Sequence, residues 1–328
     1  MVSGCRKLKA SVPRVPTLKE MKLHCLDALT TLPEELLGGN YCFQQLEIVN
    51  CSSLVSFFGG DFVTTLKSLS ISYCRKLEFF QPENVMHQFG VLEHLHISNS
   101  CESLESLPLG IFTKLQYLYI KDSENLKSLS TQDMVLTFLQ EIKIKDCLEL
   151  ESLPGGGLHT CLPCLLRLEL SNCPKLSQFS QGNLPLNLQS LIISNCNKLT
   201  PQKEWGLHGM VSLTCFETEG GCSNVKSFPE EDLLPNTLTS LIFSGLPNLK
   251  VLDKGLQDLT SLETLEIIDC EKLESMPAGE LPTTLTSLLI TECLLLGPRC
   301  QEGGVERPKI SHISGIHIFP IPDQVNEH

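Results

Sequence analysis

The stretch that decides the fold is Leu139-Gln-Glu-Ile-Lys-Ile-Lys-Asp-Cys-Leu-Glu-Leu-Glu-Ser-Leu-Pro154. Its apolar positions are Leu139, Ile142, Ile144, Cys147, Leu150 and Leu153. From Ile142 to Ile144 they alternate, which is the period of a strand. The intervening Glu141, Lys143 and Lys145 then share the opposite face. After the strand the chain turns, Cys147 tucks beneath it, and the Leu-Pro step closes a return segment. The same order recurs at Leu262, Leu265, Ile267, Cys270, Leu273, Met276 and Pro277.

Working outward, copies begin at Leu18, Phe43, Leu66, Leu92, Leu115, Leu139, Leu165, Leu188, Leu213, Leu238, Leu262 and Leu285, spaced 23 to 26 residues apart. A self-similar period of roughly 20–29 residues on this template marks a leucine-rich repeat. One repeat cannot bury its apolar face alone, and stacked repeats bury it against each other. The predicted fold is therefore an α/β leucine-rich repeat solenoid. It is a curved horseshoe with a parallel sheet on the concave face and irregular or short helical segments on the other. The array spans 1–296 as a partial repeat over 1–17 followed by twelve repeats. Residues 297–322 form a C-terminal capping segment and 323–328 a disordered tail. Within the cap, 297–308 reads as a polar loop, and Ile310, Ile313, Ile316 and Ile318 as a short strand.

Several copies depart from the template. Ser100–Cys101 and Gly221–Cys222 carry one extra residue, which predicts local kinks. Leu26, Ser123 and Leu246 stand where cysteine is expected, and Thr218 replaces the strand isoleucine. At the start, Val2 takes a strand position, Cys5 the cysteine position and Leu8 the next apolar one. The chain thus begins in mid-repeat, which predicts a fragment of a longer protein with an apolar N-terminal edge.

Composition narrows the function classes. The net charge is −13 with no Lys/Arg run, which argues against phosphate-backbone binding. The N-terminus lacks an apolar signal core and no run approaches a membrane span, which favours a cytoplasmic setting. The sixteen cysteines suggest disulfides or metal at first sight. Eight of them (Cys5, Cys51, Cys74, Cys147, Cys173, Cys196, Cys270 and Cys293) hold one repeat position, where a small, weakly polar side chain packs well. Cys161-Leu-Pro-Cys164 is a lone C-x-x-C without the second pair that zinc needs. No phosphate-binding glycine-lysine loop is present, and Gly155-Gly-Gly157 reads as a plain loop. Neither a catalytic constellation nor a cofactor is predicted. His94 and His96 read as exposed strand residues rather than a metal pair, and Cys300 as structural rather than a ligase nucleophile.

The solvent-facing strand positions form columns. His94 and His96, Tyr117, Tyr119 and Lys121, Lys143 and Lys145, and Arg167 make an aromatic and basic stretch on adjacent strands, which is the candidate protein-binding face. Glu141 and Glu169 stand among them. Glu217, Glu219 and Glu266 follow further along, extended by Asp269 and Glu292. Tyrosine and arginine are favoured at binding hot spots, and charge complementarity orients a partner.

The L-x-x-L-x-I-x-x-C-x-x-L-x-x-L-P form resembles the C-terminal repeat domain of plant intracellular immune receptors of the nucleotide-binding, coiled-coil class. The ending from Cys293 through Arg299–Cys300 and Pro308 to Ile318 is similar to the way those receptors finish. Arg307 stands where a tryptophan is common. The resemblance implies a disease-resistance module that detects a pathogen effector or a guarded host protein and restrains an upstream nucleotide-binding module absent from this sequence. The alternative is a cytosolic scaffold or substrate receptor outside immunity. A repeat-bearing ubiquitin ligase acting through Cys300 is a third reading.

Overall fold

The computed structural model describes residues 2–3, 17–32, 42–56, 64–78, 89–155, 157–179, 184–221 and 224–319. Cys5, Leu8, Gly156, Cys222, Pro320, Pro322 and the tail from 323 to 328 lie outside these residues. The chain divides into two compact units, unit 1 (Met1–Pro185) and unit 2 (Leu186–His328).

Unit 1 holds β1 (Val2–Ser3), β2 (Glu20–His24), β3 (Gln45–Val49), β4 (Ser68–Ser72), β5 (His94–Ser98), β6 (Ser106–Pro108), β7 (Tyr117–Lys121), β8 (Ser128–Ser130), β9 (Glu141–Lys145) and β10 (Arg167–Ser171). All of these except β6 and β8 run in parallel, paired repeat to repeat from β1 through β10. β6 and β8 form a second small parallel pair on the return side. One short helix, α1 (Leu158–Cys161), follows Gly157 there. Val2 pairs with Leu23, the strand position expected of it.

Unit 2 repeats the plan. Its main strands are β11 (Ser190–Ser194), β12 (Cys215–Glu219), β14 (Ser240–Ser244), β16 (Thr264–Ile268), β17 (Ser287–Thr291) and β18 (Gly315–Phe319), parallel and in register. β13 (Ser227–Phe228) and β15 (Val251–Leu252) pair on the return side. Among the described residues, no helix is long and apolar enough to cross a membrane.

Each of the twelve copies begins its five-residue strand two positions after its first leucine or phenylalanine. The second and fourth strand residues are buried in every copy, as in Ile142 and Ile144 or Leu265 and Ile267. Within each unit, successive repeats stack these side chains into an apolar column. Thr218 is buried there at 1 % exposure, between Ile193 and Phe243 in register. Leu26, Ser123 and Leu246 are buried in the cysteine position.

The turn after the strand has a uniform mechanism. In every copy the residue that follows the strand is left-handed, for example Asn50 (φ 53), Asp146 (φ 54), Asn172 (φ 52) and Gly245 (φ 61). Nine of these twelve positions hold Asn, Asp or Gly, the residues that tolerate that conformation. The turned amide donates to the last carbonyl of the next strand, as Asp146 does to Ser171 at 2.9 Å and Gly245 to Ile268 at 3.0 Å. The cysteine that follows folds back so that its thiol donates to the carbonyl two residues earlier. Cys74 reaches Ser72 at 3.3 Å and Cys147 reaches Lys145 at 3.4 Å. In the copy at Leu92, Ser100 does this work, donating to Ser98 at 2.8 Å and accepting from the Cys74 amide at 2.9 Å. The extra residue in the two kinked copies falls at further left-handed positions, Cys101 (φ 57) and Gly221 (φ 72).

The C-terminal end differs from the sequence reading. Residues 297–308 are not a polar loop: α2 (Leu296–Cys300) and α3 (Arg307–Ile310) occupy much of that span and bury Leu296, Cys300 and Ile310. The isoleucines do not form one strand either. Ile310 ends α3, and the strand starts only at Gly315. A spacing of three between Ile310 and Ile313 suits a turn, whereas Ile316 and Ile318 alternate. Glu306 anchors this end almost fully buried. Its carboxylate accepts from the Met276 amide at 3.2 Å and faces Lys309 at 2.8 Å and Arg299 at 3.7 Å.

Candidate functional site

Strand alternation places all eight predicted residues on one exposed face of unit 1. Register then arranges them in columns. His94, Tyr117, Glu141 and Arg167 stand side by side in the first strand position. His96, Tyr119, Lys143 and Glu169 do so in the third, and Lys121 and Lys145 in the fifth.

The aromatic members touch. The His94 and Tyr117 rings stack with centroids 4.7 Å apart and planes within 1°. His96 and Tyr119 meet edge to face at 4.6 Å. Both separations match the ~4.8 Å between neighbouring strands, so the sheet itself sets the stacking distance. These rings wall an open depression of about 520 Å³ floored by Ser68 and Ser70, with Glu141 and Lys143 at its far rim. That size suits a side chain or small ligand. Burial holds the His96 imidazole below its ordinary value, partly countered by the charge of Glu47. His96 Nδ1 lies 3.5 Å from Ser70 Oγ, and its Nε2 has no hydrogen-bond partner among the described residues.

The basic members are charge-compensated. Lys143 and Lys145 both contact Glu169, at 2.7 and 2.6 Å. Arg167 faces Glu141 at 3.8 Å, and Lys121 faces Asp122 at 3.8 Å. The two lysine hydrogen bonds lower the Glu169 pKa against an opposing desolvation penalty, which is the largest single influence on it. At the other end of the face, Lys22 contacts Glu47 at 2.9 Å and Glu20 at 3.2 Å. What stands out on this face is thus its aromatic ladder rather than excess positive charge. Sequence reasoning passed over Ser68, Ser70 and Glu47. The signal for the serines was present in Ser68-Leu-Ser-Ile-Ser72, where every outward position is small.

The other residues weighed for chemistry sit in unreactive surroundings. Cys300 is fully buried, and burial pushes its thiol up to about 12. Cys147 is pushed up to about 12 in the same way. Cys161 donates to the Gly157 carbonyl at 3.2 Å inside the turn of α1. Cys51, Cys74, Cys270 and Cys293 each donate to the backbone carbonyl two residues earlier, at 3.3 to 3.7 Å. The fourteen cysteines among the described residues are free thiols. No group of three or more His, Cys, Asp or Glu side chains among the described residues is placed to hold a metal ion.

No protein-family model matches the chain. Curated relatives do. A candidate disease resistance protein of Arabidopsis thaliana is 37% identical over 331 residues, covering 92% of this chain and 23% of the relative. The Arabidopsis disease resistance protein RPS6 is 28% identical over 65% of this chain and 19% of its own length. The Arabidopsis disease resistance protein RPP4 is 26% identical over 64% and 20%. The chain therefore spans about a quarter or less of the length of these relatives. Among solved structures, the leucine-rich repeat domain of the type III effector XopL superposes with a TM-score of 0.45 and 22% identity over 70% of each chain. A complex of TLR13 with ssRNA13 gives 0.48 and 16% identity over 93% of this chain and 51% of that one.

Proposed function

We propose that this chain is the recognition module of a plant disease resistance receptor and that the exposed sheet face of unit 1 takes its protein partner. The partner is a pathogen effector or a host protein guarded against one. The observation that carries this reading is the aromatic ladder of His94, His96, Tyr117 and Tyr119, standing on a rigid sheet with no structural task of its own. Rigid aromatic side chains offer large contact area at little entropic cost. Relatedness to resistance proteins over 92% of the chain supplies the biological setting.

In this reading the module works in the cytoplasm, by binding and not by catalysis. It also restrains the nucleotide-binding module of a longer parent protein, which is released when the partner engages. The nucleotide site belongs to that module.

The test is site-specific photo-crosslinking in plant cells challenged with a pathogen. A benzoylphenylalanine at Tyr119 is compared with one at Val135, an exposed unit 1 residue off the sheet face. A discrete adduct at Tyr119 alone, lost when Tyr117, Lys143 and Arg167 are replaced by Ala in the folded chain, is the expected result. Absence of an adduct, or equal adducts at both positions, removes the face from consideration.

A further inference from the structure

The side-chain ladder on unit 1 has one vacant rung. β4 turns only Ser68, Ser70 and Ser72 outward. On one side β5 presents His94 and His96, and on the other β3 presents Gln45 and Glu47, all in register. The two flanking strands lie two spacings apart, roughly 9.6 Å. A planar group needs roughly 3.5–4.0 Å of contact on each side. A flat group centred over Ser68 therefore fits, and it meets the face of His94 opposite the one that Tyr117 covers at 4.7 Å. It sits at the stacking distance that the sheet already imposes.

The opposite wall accepts hydrogen bonds. Glu47 uses part of its carboxylate on Lys22 at 2.9 Å and lies 3.5 Å from His24 Nε2. A carboxylate offers about four lone-pair sites. Glu47 shares the third column with Ser70 and His96. The Gln45 side chain stands beside it in the first column. An aromatic wall facing a carboxylate and an amide, on a chain of net charge −13, selects a flat cation with several donors. A guanidinium meets all three conditions. An ammonium lacks the plane, and a phenyl ring leaves the acceptors unpaired.

We propose that the rung over Ser68 and Ser70 is a slot for an arginine side chain of a partner protein, whose guanidinium extends the Tyr117–His94 stack and donates to Glu47 and Gln45. This rests on the reading of the unit 1 face as the partner surface. It names the partner's anchoring chemistry.

The probe is acetyl-arginine amide, titrated into the full chain while histidine ring carbon–proton NMR signals are followed. The signals of His94 and His96 move saturably with the arginine probe. They move several-fold less with acetyl-lysine amide, and not with acetyl-phenylalanine amide. Ser70→Phe fills the rung and abolishes the response. Glu47→Gln, which keeps the shape of the side chain, weakens it about tenfold, the share of one charge-assisted hydrogen bond. No histidine response, an equal lysine response, or an arginine response untouched in both variants overturns the slot. The crosslinking assay separates the two readings. An adduct at Tyr119 that is undiminished by Ser70→Phe overturns the arginine slot and leaves the face standing. No adduct in the parent chain overturns the face itself.

Discussion

The sheet faces of the two units share one strand template and carry opposite surfaces. On unit 1, carboxylates and cations are interleaved and paired, with Glu169 between Lys143 and Lys145, Glu141 opposite Arg167, and Glu47 against Lys22. Four aromatic rings stand among them. On unit 2, strands β11, β12, β14, β16 and β17 carry no Lys, Arg or His. Their outward positions are Ser or Thr at seven places, with Cys215, Ile192, Ile242, Ile268 and Leu289 and the acids Glu217, Glu219 and Glu266. The buried strand positions of the two units, by contrast, are nearly interchangeable. The period specifies the core and leaves the outward positions free, so they carry whatever distinguishes one part of the array from another.

The sharpest check on that division is the core. Leu168→Ala in unit 1 and Leu265→Ala in unit 2 each destabilise by about 3 kcal/mol, because both leucines are 1 % exposed or less and leave a comparable cavity. Urea unfolding of the two variants gives equal losses if the units differ only at the surface, and unequal losses break the comparison.

The next effect falls on the shared turn. Gly245→Val forces a β-branched residue into φ 61 and costs about 1–2 kcal/mol. Tyr73→Gly, at φ 56 in unit 1, stabilises by about 1 kcal/mol by relieving the same penalty. Thermal unfolding shifts in opposite directions check both. A matched pair of destabilisations would show that the left-handed column carries no common cost.

Charge separates the units at a smaller scale. Glu169→Gln removes the carboxylate shared by two lysines and costs about 1 kcal/mol, an effect that shrinks in 1 M salt at roughly a 3 Å screening length. Glu266→Gln on unit 2, where no cation stands on the neighbouring strands, changes stability by less than about 0.5 kcal/mol. Denaturation at low and high salt compares them.

The smallest effect is pH-dependent and confined to unit 1. His96 titrates below the ordinary histidine value of 6.5 because burial disfavours its charged form, while Glu47 partly offsets this. Ser70 and Tyr119 are the other groups against it. Its folded pKa is depressed. Its contribution to stability is therefore complete above the unfolded pKa and is lost as pH falls through the folded one. An NMR titration of His96 at or above 6.5 would refute the assignment, and Glu47→Gln lowers the value further.

Much of this was legible in the sequence. Alternation around Ile142 and Ile144 predicted the strand, and the recurrence of Cys147 and its equivalents predicted a buried turn residue. The same alternation assigned His94, Tyr117, Lys143 and Arg167 to one face. Other features were less legible. The left-handed column had a signal, an Asn, Asp or Gly before most of the cysteines, but Tyr73 and Glu292 hide it. The C-terminal isoleucines looked continuous because each is apolar, although their spacing changes from three to two at Ile316.

The sequence alone determined the strand positions, the repeat count and which residues face out, because these follow from local periodicity and from the need to bury an apolar stripe. Only the tertiary structure decided which outward residues meet. Pairing Glu169 with two lysines, stacking His94 on Tyr117 and leaving a rung empty over Ser68 all depend on cross-strand register between residues more than twenty positions apart. Stacking the buried strand residues of each repeat on those of the next sets that register, and the sheet's strand spacing then fixes how far apart the outward side chains stand.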